Sequence, residues 1–419
     1  MRFRARTAIG AALILAAASV TVYAVGSANA DPTVKTQTAN REVFSEDGSI
    51  TRKDVTYQVH DNRAQASDVH ASKVTPIMDN GPTKDKLDLV VVGDGYTKDQ
   101  MDTYEQHVRS KVDELFAVEP YKSYKNQFNV WMVDVESNES GVDNDPKGTM
   151  RDTALDMYFY CGDIDRLLCV NETKANQYAA QAPDVDQVLA LANTSTYGGA
   201  GGGAATAAGG NESAGQIVVH ELGHSIGGLA DEYDYGEGDN YTGDEVPEPD
   251  VSIKDRKTQE NEKVKWAQWM GQDTPDGGKI DVYDGARYWK HGIYRPSENS
   301  IMRELGREFN LPSREAMVAA FHDKAAVATP TVSTKKAVAT GKTLGVKIPK
   351  VQGGHSVVWK IDGKTVKAAT GKSKLDTGAL NLASGKHKIS VTVIDTTKWV
   401  RDKKLRSKYL TDSYTWTVG

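Results

Sequence analysis

Apolar and polar positions divide this chain into stretches of different periodicity. Ala8 to Val25 is almost wholly apolar, preceded by Arg2, Arg4 and Arg6 and followed by Ala28-Asn29-Ala30. A basic start, an apolar run and a small-residue site are the layout of an export signal, so residues 1–30 are expected to be removed. No later stretch approaches 18 apolar residues, which predicts a secreted chain without membrane association after cleavage. Residues 31–84 are polar, with a turn at Ser45 to Gly48 and partial alternation from Ile50 to Val59, the pattern of a small β-rich module or a pro-segment. Leu87 to Val92 is a continuous apolar run stopped by Gly93-Asp94-Gly95, which reads as a buried strand. Val108, Val112, Leu115 and Phe116 recur at helical spacing, predicting a helix from Met101 to Phe116 capped by Thr97 or Asp99. Phe128 to Val135 and Val185 to Thr194 read as further strands, the latter running into a Gly/Ala tract that ends at Gly210. Pro312 to Asp323 reads as a closing helix capped by Ser313.

Beyond a linker at Ala325 to Pro330 the pattern changes. Short alternating runs occur at Leu344 to Ile348, Val357 to Ile361, Ile389 to Ile394 and Tyr414 to Val418, with turns at Asp362-Gly363 and Ser384-Gly385. They predict an immunoglobulin-like β-sandwich over residues 327–419, with Trp359 in its core. The expected fold class is therefore α+β: a domain over residues 85–326 with a mixed sheet, followed by the sandwich.

Charge sharpens this division. The formal net charge of −6 becomes −9 without the three signal arginines; residues 331–419 carry 18 Lys+Arg against 5 Asp, a net +13, leaving −22 on residues 31–330. The C-terminal lysines suit an anionic cell-wall polymer, docking onto the acidic domain, or simply a soluble surface. An exported chain with no recognisable module excludes nucleic acid. Cys161 and Cys169 are the only cysteines. In an exported protein they are expected to form one disulfide, and their downstream position excludes latency through a cysteine switch.

The candidate chemistry lies between Ser213 and Tyr233. His220 and His224 are four residues apart, so on a helix both imidazoles share a face and meet one ion, with Glu221 beside it. Ser213 and Gln216 form a capping-box pattern, and Gly227 or Gly228 supplies the stop. Zinc wants a third protein ligand and an open position for water. Asp231 is the nearest carboxylate past the turn, with Glu232 its competitor. A thermolysin-like arrangement would instead draw Glu245 from a second helix, against the Pro and Gly around it. The Val185 to Thr194 strand upstream suits an edge that pairs with an extended peptide. The acidity of residues 231–250 reads as a solvated rim or as a Ca2+ site, although EF-hand spacing is absent. Gly93-Asp94-Gly95 lacks the lysine and third glycine of a phosphate cradle.

His220 to Tyr233 resembles the M64 metallopeptidases, the group named for a bacterial IgA endopeptidase. Val91 to Tyr96, Cys161 to Cys169, Asn193 to Gly199 and Tyr294 to Arg303 carry the same resemblance, which spans about residues 86–325. It implies a metzincin-like zincin domain with Met302 in the methionine turn beneath the metal. The chain departs from the usual metzincin spacing by one residue: Gly227 would assign Ala230, which cannot ligate, whereas Gly228 assigns Asp231. The function expected is a secreted zinc metalloendopeptidase acting on protein or peptide, with Glu221 as general base and Tyr294 or Tyr233 steadying the oxyanion. A cell-wall amide hydrolase and an inert binding protein with a vestigial helix are the alternatives. No residue identifies IgA as substrate.

Overall fold

The computed structural model describes residues 34–60, 72–144 and 148–419, so the expected export signal lies outside the described residues. The described chain starts as a hairpin. Strands β1 (Val34–Phe44) and β2 (Ile50–His60) pair antiparallel from Val34↔His60 to Phe44↔Ile50 around the turn at residues 45–49. Gly48 takes φ +88° there, and its carbonyl accepts from Leu305 N–H across the fold.

A six-stranded sheet forms the centre. Its strands are β3 (Val74–Met78), β4 (Leu87–Asp94), β5 (Phe128–Val133), β6 (Gln187–Ala192), β7 (Gly199–Ala200) and β8 (Ala205–Ala208), in the order β3-β5-β4-β6-β8-β7. The four inner strands run parallel and both edges antiparallel. Leu89 and Val91 of β4 enter one core while Val90 and Val92 enter another on the opposite face. Burial on both faces is why that run shows no alternation.

Two expectations change here. The sheet starts at Val74, ahead of the stretch expected from residue 85, because β3 pairs with β5. The Val185 to Thr194 strand is interior β6, and the edge belongs to β7. The Gly/Ala tract folds into β7 and β8 because small side chains let a helix lie close: a Cβ on Gly199 would fall 3.0 Å from the Ile217 side chain.

Helices α1 (Met101–Leu115), α3 (Gly215–Gly227) and α4 (Leu311–Lys324) pack on one sheet face, and α2 (Glu172–Ala179) covers the other with Ala175 and Tyr178. Thr97 precedes α1 through a 3-10 turn, its N–H donating to Gln100 Oε1. For α4 the cap is Asn310, whose Oδ1 accepts from Ser313 N–H, so Ser313 lies inside the first turn. The Cys161–Cys169 disulfide forms, with Cα atoms 5.9 Å apart.

The C-terminal region holds two antiparallel sheets: residues 329–330, 343–347 and 374–376 in one, and residues 355–361, 364–365, 387–395 and 411–418 in the other. They share a core in which the Trp359 and Trp416 rings stack 5.8 Å apart. The contact with the preceding region uses the loop after residue 395 and α5 (Lys403–Tyr409), whose Leu405 and Tyr409 pack on the main core. Asp395 Oδ2 accepts from Tyr124 Oη at 2.8 Å and lies 3.2 Å from His322 Nε2, with His322 and Asp395 fully buried. Glu315 of α4 accepts from Trp269 Nε1 and from Asp402 N–H.

Candidate metal centre

Helix α3 is built to hold two imidazoles. Ile217, Val218, Val219 and Leu222 bury its other faces. Its start is a 3-10 turn capped by Asn211, which accepts from Ser213 N–H. Gln216 donates to Glu114 instead of closing a capping box with Ser213. Gly228 ends the helix at φ +62°, and the chain doubles back.

His220 Nδ1 lies 2.9 Å from the Ile301 carbonyl and His224 Nδ1 2.7 Å from that of Leu229. A carbonyl can only accept, so each Nδ1 carries a proton and each Nε2 is turned inward. The two Nε2 atoms are 3.0 Å apart, and Asp231 Oδ1 lies 3.3 Å from both. That oxygen is buried and satisfied by no hydrogen bond. A tetrahedral ion with bonds of ~2.0–2.1 Å needs ligand atoms about 3.3 Å apart, so the three atoms have the spacing of one face of such a site.

Asp231 is held from outside its own loop. Tyr288 Oη donates to its Oδ2 at 2.6 Å, leaving Oδ1 free to face the imidazoles. Arg287 N–H donates to the Asp231 carbonyl, Tyr288 N–H to that of Tyr233, and Glu232 N–H to that of Met302. Met302 is fully buried under α3, where a Cβ on Gly223 would come within 2.8 Å of its sulfur.

A fourth group comes from the N-terminal hairpin. Glu42 Oε2 lies 3.5 Å from His220 Nε2 and 3.8 Å from His224 Nε2, while its Oε1 accepts from Tyr233 Oη. Among the described residues, one His/Cys/Asp/Glu group has metal-holding geometry, and it consists of Glu42, His220, His224 and Asp231.

The electrostatics are those of a cation trap. Burial opposes the charge on His224, yet Asp231 outweighs it and raises the imidazole to about 9; His220 is raised likewise by Asp231 and Glu42. Burial also opposes ionisation of Asp231, but the imidazoles hold its carboxyl well below the usual range. Glu221 faces the same centre, with Oε1 unpaired, pushed up to about 7 by burial and then by the charge of Glu42. Gly201 leaves room for it: a Cβ there would fall 2.0 Å from Glu221 Oε2.

The profile of the family described as IgA peptidase M64 matches residues 75–277. Residues 75–277 belong to the M64 peptidase family. No curated protein matches the chain. M64 membership implies peptidase activity on protein or peptide substrates and a metal-dependent centre. The matched stretch contains His220, Glu221, His224 and Asp231; Glu42 precedes it, while Tyr288 and Met302 follow it.

Other candidates from the sequence are placed elsewhere. Glu232 points away from the imidazoles, accepting from Ser300 Oγ and Asn310 Nδ2, and burial raises it to about 7. Glu245 lies on no helix and pairs with Lys265 and Ser252. Glu248 pairs with Arg287 and Asp250 accepts from Ala230 N–H, so these acids of the 231–250 loop serve its folding. Tyr294 sits in the strand Trp289–Arg295, bridged to Ser252, and no hydrogen bond or ring contact links it with the centre among the described residues. Tyr233 and Tyr288 are the tyrosines that reach it.

Glu42 and Tyr288 were not visible in the sequence. Glu42 follows no motif. Tyr288 is concealed by an unusual turn: Arg287 and Tyr288 form the two-residue loop between paired Ala286 and Trp289, with φ +48° and +79°. Such loops favour Asn-Gly, and non-glycine residues there cost of order 1–3 kcal/mol each.

Proposed function

We propose that the chain is a secreted zinc metalloendopeptidase, with His220, His224 and Asp231 as ligands and Glu221 as general base. The observation that carries this reading is the buried Asp231 Oδ1, without a hydrogen bond, 3.3 Å from both inward-facing Nε2 atoms. Two nitrogens and one carboxylate oxygen at that spacing suit zinc, and imidazole with carboxylate disfavours calcium. The Cys161–Cys169 disulfide supports an oxidising compartment, in line with the signal-like residues 1–30. The two C-terminal sheets around Trp359 support an immunoglobulin-like accessory module.

When bound, the ion supplies Lewis-acid polarisation of the scissile carbonyl and acidifies water beside it. Glu221, buried and raised to about 7, takes the proton of the attacking water and hands it to the leaving amine. Tyr233 Oη, directed into the centre, donates to the carbonyl oxygen as negative charge develops there. Tyr288 fixes Asp231, and the Ile301 and Leu229 carbonyls fix both imidazoles. An extended peptide backbone lies along edge strand β7, where glycines admit it closely.

Glu221→Ala is expected to keep one equivalent of zinc by mass spectrometry while hydrolysis of a peptide library falls by at least ~100-fold. Chelation abolishes hydrolysis in the parent chain. Full proteolysis by the variant, or parent activity indifferent to chelator, contradicts the reading.

A further inference from the structure

The hairpin β1–β2 lies across the centre, and the alternation of β1 decides what each side chain does. Glu42 and Phe44 point one way: the carboxylate faces both Nε2 atoms, and the Phe44 ring meets the His220 ring edge-on at 5.5 Å. Arg41 and Val43 point the other way. Arg41 Nη1 donates to the Gly201 carbonyl at 2.9 Å, and Val43 packs with Ala200 and Cys161. The hairpin therefore occupies the edge at β7 and delivers a carboxylate to the place that solvent and substrate need. Phe44 and Ile50 are buried in the main core, so this is a seated arrangement and not a grazing contact.

The Glu42 carboxylate also has the posture of the reacting group. One oxygen faces the imidazoles and the other accepts from Tyr233 Oη. The two carboxylate oxygens match in number the pair that the carbonyl carbon would carry once water has added.

We infer that Glu42 is a fourth protein ligand to the divalent metal, and that the β1–β2 hairpin holds the chain in a latent form by filling the place of water and substrate. This rests on His220, His224 and Asp231 being metal ligands. Glu42 lies ahead of the stretch matched to the M64 family. Residual activity in the parent reflects the fraction of time the carboxylate is away.

The test uses the full chain after signal removal, reconstituted with Co2+, whose visible absorption reports coordination. Glu42→Ala and Glu42→Gln are compared with the parent for Co2+ affinity, acetohydroxamate binding and peptide hydrolysis. Losing a fourth ligand weakens Co2+ binding while it opens a coordination position. Both variants are expected to bind Co2+ about tenfold more weakly, bind acetohydroxamate at least ~10-fold more tightly, and gain at least ~10-fold in kcat/KM. These opposite shifts separate ligation from a structural role, which would weaken both affinities together. The same spectrum and acetohydroxamate Kd in parent and variants, or joint weakening, overturns the inference. Should Glu42→Ala fail to fold, Glu42→Gln gives the same readings. If the opposite shifts appear but no form cleaves peptide, Glu42 stands as a ligand and the peptidase reading fails.

Discussion

At the scale of the residue, Tyr288 carries the most for its size. Its hydroxyl is the donor that occupies one Asp231 oxygen and commits the other to the centre, and its ring lies 3.6 Å from the Arg52 guanidinium of the hairpin. A hydrogen bond to a buried charge contributes about 1.5–3 kcal/mol. Partners that orient metal ligands typically matter by about 10–100-fold in metal affinity. Tyr288→Phe should therefore lower zinc affinity by that factor with the fold intact, measured by competition with a chromophoric chelator. Unchanged affinity would show that Asp231 is oriented without its tyrosine. Gly223 and Gly201 act in the opposite manner, through what they lack: one admits the Met302 sulfur beneath α3, the other admits the Glu221 carboxylate.

At the scale of the element, what the sequence disclosed depended on whether local pattern or distant contact decided the outcome. Helix α3, its αL stop at Gly228 and strands β4 and β5 follow from periodicity and glycine placement, which act within a few residues. The S-x-x-Q pattern at Ser213 misled because Asn211, two residues earlier, caps a 3-10 turn first. Sheet order misled as well, since no local signal says that a Gly/Ala tract will outflank β6. The end of β4 shows the same limit: Gly93-Asp94-Gly95 reads as a stop, yet Asp94 gathers the loop at residues 153–157, beyond β5. It accepts from Thr153 Oγ1 at 2.9 Å and from the N–H groups of Leu155 and Met157 at 2.8 and 2.7 Å. Burial outweighs these bonds and raises its carboxyl from 3.8 to about 6. A raised acid binds its proton more tightly in the folded state, so its contribution to stability is greatest below pH 4 and declines as pH rises through 6, by at most about 3 kcal/mol. Asp94→Asn should lower stability overall while flattening the difference between denaturant curves at pH 4.5 and 7.5. An undiminished difference would assign the pH dependence to other groups.

At the scale of the whole molecule, the C-terminal sheets are fastened to the catalytic layer by a buried trio. Tyr124, His322 and Asp395 come from the segment before β5, from α4 and from the penultimate strand, and Asp395 is held below the usual carboxylate range because its contacts with His322 outweigh burial. Removing one partner of a buried pair costs about 3–5 kcal/mol. Asp395→Ala should lower stability by that order and split one calorimetric transition into two, the C-terminal sheets melting apart from the catalytic layer. A single transition at the parent temperature would mean that the remaining contacts, among them those of Glu315 and Arg401, suffice.

The strained pair at Arg287 and Tyr288 has a wider consequence. Tyr288 grips Asp231 from 57 positions further along the chain, so the loop after Tyr233 departs from the centre and returns to the same clasp. Where that excursion stays clear of Glu248 and Asp250, which return to Arg287 and Ala230, its length can change without disturbing the ligands. Reach and selectivity can thus drift in descendants of this sequence while the chemistry beneath stays put.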